Sequence, residues 1–116
     1  MQNLSLAVLD GNLTRDPETK SIKSGKSVTT FTVAMNHEYG SKDGNKSVSF
    51  IQVETWDKLA ENCATYLKKG SRVTVSGNLR EDRWKDQEGK PHNRHKIVAQ
   101  SVRFDSSRKD KEEEAA

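Results

Sequence analysis

Cysteine is all but missing from this 116-residue chain, with Cys63 the only one. A lone cysteine excludes an intramolecular disulfide and any zinc knuckle built from several thiolates. Proline is nearly as scarce, at two residues, and no apolar run approaches the roughly 20 residues of a transmembrane helix. From Met1 to Ser5 there is no basic region leading into an apolar stretch, so no secretory leader is expected. The expectation is a cytoplasmic protein without a membrane segment. Hydrophobic residues make up only 31% of the chain, below the usual share for a globular domain. The core must therefore be thin. A small barrel, a subunit that finishes its burial by oligomerising, or a partly disordered chain would each fit.

Charge sets the next bound. The formal net charge is +3, and it is unevenly spread: residues 1–105 are mildly basic while residues 106–116 are net acidic. A basic body suits a polyanionic partner, because neutralising phosphates releases counterions. Beyond Asp105 the chain has no apolar side chain larger than alanine. Such a segment cannot offset its ordering entropy by burial, so 106–116 is expected to be a short disordered tail on a 1–105 domain.

Short alternating runs dominate the rest. Leu4, Leu6 and Val8 alternate before a break near Asp10 and Gly11. Asp16-Pro17 and Gly25 mark turns. Ser27 to Glu38 reads as a strand with Phe31, Val33 and Met35 on one face. Asp43-Gly44, within 40–47, is a hairpin-turn signal, and Val48 to Trp56 reads as strand again. Then the period changes. Asp57 suits an N-cap, Leu59, Cys63 and Leu67 follow at helical spacing, and Lys68, Lys69 and Gly70 suit a helix end. One helix over about 58–69 is expected. Arg72 to Leu79 returns to strand, with Val73, Val75, Gly77 and Leu79 on one face. A loop over 86–91 precedes a last strand from Arg94 to Phe104. Three strand regions, a helix and two strand regions give the order of an all-β OB-fold, a five-stranded Greek-key barrel with its helix between strands 3 and 4. An open α+β sheet is the alternative, but the sparse core and the glycines in or beside strands favour a strongly bent barrel.

Seven aromatics serve the whole chain: Phe31, Tyr39, Phe50, Trp56, Tyr66, Trp84 and Phe104. A thin core ought to take them all, yet parity argues otherwise. Ile51, Val53 and Thr55 share one face of the third strand, leaving Phe50 and Trp56 outward with Gln52 and Glu54. If the fourth strand continues, Trp84 falls on its outer side with Arg80 and Asp82. Simple alternation would put Tyr39 inward, unless a bulge or the strand end places it at the mouth of the 40–47 loop. Lys42, Lys46, Lys58, Lys68, Lys69, Arg80, Arg83 and Lys85 lie near these rings in sequence. Exposed rings interleaved with cations suit bases that stack and phosphates that pair. The same rings could instead rim a subunit interface.

The pieces also resemble a known family, the bacterial single-stranded DNA-binding proteins. The resemblance runs over residues 1 to about 105. It rests on Gly11 to Glu18, Lys58 to Glu61, Tyr66 to Ser71, Gly77 to Arg80, and Trp84 to Gly89. It implies base stacking on Tyr39, Phe50, Trp56 and Trp84. Phosphate contacts would come from Lys42, Lys58, Lys68, Lys69, Arg80 and Arg83, with Lys85 adjacent. It further implies a homotetramer that protects unwound DNA in replication, recombination and repair, located with the nucleoid, without catalysis or cofactor. Two departures stand out. Ile51-Gln52 follow Phe50 where many relatives carry a basic or His-containing pair. The sequence ends in Glu112 to Ala116 rather than an acidic tip closing on Pro-Phe, which puts recruitment of replication and repair enzymes in doubt.

Other signals have plainer readings. His92 and His95 should point to opposite sides of a strand, with His37 elsewhere, so no metal site is expected. Cys63 lies on the apolar stripe of the helix, a core position. Asp16, Glu18, Asp82 and Asp86 could be imagined as a two-metal nuclease site, but they are interleaved with cations and flank turns. Ser24-Gly25-Lys26 lacks the second spaced glycine of a phosphate-binding loop. A protein adaptor using its aromatics as interface hot spots is the rival to strand binding, and a small nuclease ranks last.

Overall fold

The computed structural model describes residues 4–37 and 47–105. Tyr39, Lys42, Lys46, the Asp43-Gly44 turn and the 106–116 tail lie outside the described residues. Six strands and one helix follow in the order β1 (Ala7–Leu13), β2 (Glu18–Ser21), β3 (Ser27–His37), β4 (Ser47–Trp56), α1 (Asp57–Tyr66), β5 (Arg72–Lys85) and β6 (Pro91–Asp105). β1 pairs antiparallel with β5, β5 with β6 and β4 with β3, while β4 and β6 run parallel. The pairing of Asn12 with Ala34 and Leu13 with Val33 joins β1 back to β3 and closes a five-stranded ring. This is the OB barrel that the element order implied, with α1 between the third and fourth strands of the ring.

The short strand β2 is an addition. It hairpins onto β3 outside the ring, through the turn bonded from Ile22 to Lys26. Its sequence, ETKS, carries no apolar side chain, and all four residues are exposed. Hydrophobic patterning could not reveal it, because backbone pairing with β3 and a Thr19–Thr29 hydroxyl hydrogen bond at 2.9 Å hold it, without apolar side chains of its own.

The interior is small and aliphatic. Leu13, Val33, Val53, Val73, Val75 and Ile97 fill it with Phe31, and Leu67 and Cys63 close it from the helix side. Burial pushes the Cys63 thiol up to about 11, against a weaker opposing pull from the Thr55 hydroxyl, so it stays a packed thiol. Two buried hydroxyls link β4 to β3 and β3 to the helix. Thr55 Oγ1 donates to the Thr29 carbonyl at 2.8 Å, and Thr29 Oγ1 donates to the Ala60 carbonyl at 2.8 Å. Each satisfies its polar group inside an apolar shell.

Several local expectations need correction. The helix spans Asp57–Tyr66 rather than 58–69, and Trp56 is its N-cap, without a side-chain cap bond. Asp57 instead turns the chain out of β4 with φ +56, a left-handed shape that aspartate tolerates better than most residues. Lys68, Lys69 and Gly70 lie past the helix, in a turn pinned to β1 by the Gly70 amide donating to the Leu13 carbonyl at 2.9 Å. Leu79 is 45% exposed rather than inward, because β5 and β6 run on as a hairpin past the end of the barrel. The predicted 86–91 loop is accordingly a tighter turn, and β6 starts at Pro91. Leu4, Leu6 and Val8 alternate as read, but on the outside, while Leu9, Gly11 and Leu13 turn inward. No helix among the described residues is long and apolar enough to cross a membrane.

Closure of so small a ring requires backbones to approach closely. A Cβ on Gly77, at the β5 bulge, would meet the Val98 carbonyl oxygen and lie 2.8 Å from Ala99 Cα. A Cβ on Gly11 would meet the Ala34 carbonyl oxygen and lie 2.7 Å from Val33 Cγ1. Backbone atoms of a paired strand cannot move aside without breaking the pairing. Gly77→Ala is therefore expected to destabilise the fold by about 2 kcal/mol or more, a fall of roughly 8 °C or more in melting temperature. A circular-dichroism melt checks this; an unchanged midpoint would mean the bulge has slack.

Candidate nucleic-acid interface

Strand parity decides what the outer surface carries. On β4 the buried side is Val53 and Thr55, with Ile51 half-buried, so Phe50, Gln52, Glu54 and Trp56 face out. β6 lies beside β4, with Gln52 opposite Lys96. β5 lies beside β6, with Arg80 opposite Lys96, Asp82 opposite Arg94 and Trp84 opposite His92. One continuous outer face therefore displays Phe50 and Trp56, then His92, Arg94 and Lys96, then Arg80, Asp82 and Trp84. Phe50 is 63% exposed, Trp84 43% and Trp56 36%, whereas Phe31 is the one aromatic sealed in the core among the described residues. Six residues of strand separate Phe50 from Trp56, roughly 20 Å.

A groove of about 400 Å³ lies beside Phe50, bordered by Arg15, Asp16, Thr32, Gln52 and Arg94. Arg94 is the residue that sequence reasoning missed. Its guanidinium donates to Gln52 Oε1 at 2.9 Å and sits 5.4 Å from the centre of the Trp84 ring. Gln52, which as a neutral residue seemed to remove a cation from the site, thus holds one in place from the neighbouring strand. Arg15 was likewise unnoticed. The register that sets Arg94 near Trp84 was the available signal, since the two lie two pairs apart, diagonally on one face of the hairpin.

The anticipated cations fall into three groups. Lys58 lies two residues past Trp56, and the Lys68-Lys69 turn is tied to Asp16 at the border of the groove, the Lys69 amide donating to Asp16 Oδ1 at 2.8 Å. Arg80 shares the outer face with Trp84. Arg83 and Lys85 lie on the other face of the hairpin by alternation. There Arg83 is paired with Glu81, and Glu81 also meets His95 at 3.2 Å. The hydrogen bond from Arg83 outweighs the opposing desolvation and holds the Glu81 carboxyl below its usual range, with the charges of Arg83 and His95 adding to it. His92 and His95 do point to opposite faces. Among the described residues no three His, Cys, Asp or Glu side chains converge as a metal site needs.

Trp84 stands on the hairpin arm, and the arm is braced at its tip. The His92 ring stacks on the indole at 5.6 Å with 19° between planes. The Asp86 carboxylate meets His92 Nε2 at 2.8 Å and accepts the amides of Glu88 and Lys90, each at 2.9 Å.

A five-stranded OB barrel with rings and guanidinium groups interleaved on one outer face has the surface of an oligonucleotide-binding domain. The chain belongs to the single-strand binding protein family, whose pattern matches residues 4–105. It is 43% identical over 101 residues to the single-stranded DNA-binding protein of Caldanaerobacter subterraneus subsp. tengcongensis, covering 87% of this chain and 67% of that one. It is 39% identical over the same length to single-stranded DNA-binding protein 2 of Listeria innocua and to single-stranded DNA-binding protein A of Bacillus subtilis, covering 64% and 59% of them. The chain thus spans about two thirds or less of the length of these relatives.

The tip brace makes a pH-dependent statement. The hydrogen bond with His92, then the backbone amides, hold the Asp86 carboxyl below its ordinary value. A depressed carboxylate contributes stability that is fully present above its unfolded value and is lost as pH falls through the folded one. The Glu88 and Lys90 amides are therefore expected to stay protected from exchange down to about pH 4 and to lose protection below it. Asp86→Asn should abolish that step. An NMR titration in which Asp86 ionises at or above the ordinary aspartate value would refute the brace.

Proposed function

We propose that this chain binds single-stranded DNA with little regard to sequence, stacking bases on Phe50, Trp56, Trp84 and Tyr39. Phosphates pair with Lys42, Lys58, Lys68, Lys69 and Arg80, to which we add Arg15 and Arg94. Arg83 and Lys85 join only where the strand passes round the hairpin edge. One observation carries this reading. Three large rings remain exposed on a single outer face of a protein whose core has almost no aromatic content. Each stacked base contributes about 1–3 kcal/mol, and every base has a π-face, so the affinity tolerates sequence. The names of the relatives support DNA as the strand.

On this reading the protein coats unwound DNA during replication, recombination and repair, in the compartment that holds the nucleoid. It needs no cofactor, and binding alone uses every feature of the face, so no catalysis is invoked. We further propose a homotetramer. Leu4 and Leu6, just ahead of β1, and Val8 on it form an exposed apolar row, and a second copy of the chain would take such a row out of water.

The test is a tryptophan-fluorescence titration with oligo(dT) of increasing length, at low and high salt. Deep quenching is expected, with stoichiometry stepping up once an oligomer spans several subunits. Trp56→Ala and Trp84→Ala should each cost about 1–3 kcal/mol. Arg94→Ala should lower the slope of log affinity against log salt by about 0.7, one phosphate contact on a single strand. No quenching at low salt would overturn strand binding in favour of a protein adaptor. A monomer by sedimentation would overturn the tetramer.

A further inference from the structure

The face read as the single-strand site carries two carboxylates at its centre, and they are built into it. Glu54 Oε2 accepts the indole N–H of Trp56 at 2.9 Å. Glu54 Oε1 accepts from Lys96 Nζ at 3.0 Å, and Lys96 also meets Asp82 Oδ2 at 2.9 Å. The Lys96 and Glu54 side chains are only 15% and 17% exposed, against 51% for Asp82. Partial burial pulls the Lys96 ammonium down, but the two carboxylates outweigh it and keep its pKa above the ordinary value. A negative charge beside a phosphate track opposes binding. Its presence there calls for a compensating use, and the geometry supplies one. Trp56 ends β4 and caps α1, next to a left-handed residue, and Glu54 is the side chain that fixes the polar edge of its ring.

We propose that Glu54 is a positioning residue that holds the Trp56 indole in its base-stacking orientation, and that Lys96 serves as the counter-ion of Glu54 and Asp82 rather than as a phosphate contact. The inference rests on reading this face as the strand site. An indole free to rotate must lose that freedom when a base stacks on it, whereas one already hydrogen-bonded loses little. The charge-assisted pair turns both carboxylates inward onto one ammonium, leaving Arg80, Arg94 and Lys58 to meet the phosphates.

The experiment uses the full chain with Trp84→Phe, so that Trp56 is the sole tryptophan. Two readings are taken: fluorescence-anisotropy decay of Trp56 in the free protein, and affinity for fluorescein-labelled oligo(dT) across a salt series. Glu54→Leu is expected to speed the Trp56 decay and weaken binding about three- to tenfold. Glu54→Gln keeps an acceptor for the indole and should restore the slow decay. Lys96→Met should weaken binding without changing the salt slope, and adding Glu54→Gln and Asp82→Asn to it should recover the loss. Unchanged Trp56 decay in Glu54→Leu would overturn the positioning role, as would fast decay in Glu54→Gln. A slope lowered by about 0.7 in Lys96→Met would make Lys96 a phosphate contact and overturn the counter-ion role. If the parent protein fails to bind oligo(dT), the strand-site reading falls instead, and the decay in the free protein still decides whether Glu54 orders the indole.

Discussion

Everything in this molecule follows from closing five strands into a ring. The contact of β1 with β3 removes the open edges of the sheet, and it is possible because glycine stands where strands touch at Gly11 and Gly77. A ring of this size admits valines, leucine, isoleucine and one phenylalanine, and little else. Rings the interior cannot take must stand outside, where each would expose apolar surface to no purpose unless something covers it. The shortage of aromatics inside and their presence outside are therefore one fact, and the same steric limit that shapes the core leaves the rings of the outer face exposed.

That face is not simply positive. Across β4, β6 and β5 its outward residues alternate rings, cations and carboxylates, and the carboxylates are paired within the protein before any ligand arrives. Arg94 leans on Gln52 and Trp84, Lys96 on Glu54 and Asp82, and Asp86 on His92. Among the described residues, Lys58, Lys69, Arg80, Arg15 and Arg94 make no carboxylate pair, and they flank the rings. Bases over the middle and phosphates at the edges is the arrangement this charge pattern favours.

Much of this was legible in the sequence, and the rest was hidden for reasons that can be named. Alternation along β4 placed Phe50 and Trp56 outward correctly, since Val53 and Thr55 are unambiguous core neighbours. The same rule misplaced Leu79, because parity says which side a residue faces but not whether the barrel still stands on that side. β2 has no apolar signature to read. Asp57 has the composition of an N-cap but serves as a corner, a backbone property that its side chain does not reveal. Arg94, Glu54 and Lys96 depend on which strands become neighbours, and the parallel pairing of β4 with β6 joins segments 42 residues apart. The family motifs conveyed the overall plan but not these pairings, which belong to this chain's own side chains.

The extension of β5 and β6 past the barrel gives the protein two kinds of mechanical footing. Phe50 and Trp56 are planted on a closed ring that resists bending, so the gap between them behaves as a fixed gauge. Trp84 rides on a two-stranded cantilever whose stiffness comes from its own ladder and from the knot at Asp86. A polymer laid across both meets a rigid ruler at one end and a spring at the other. On the proposed reading, such a spring would absorb differences in how nucleotides of unequal size fill the span. Tolerance of sequence, on this footing, is as much a matter of compliance as of chemistry.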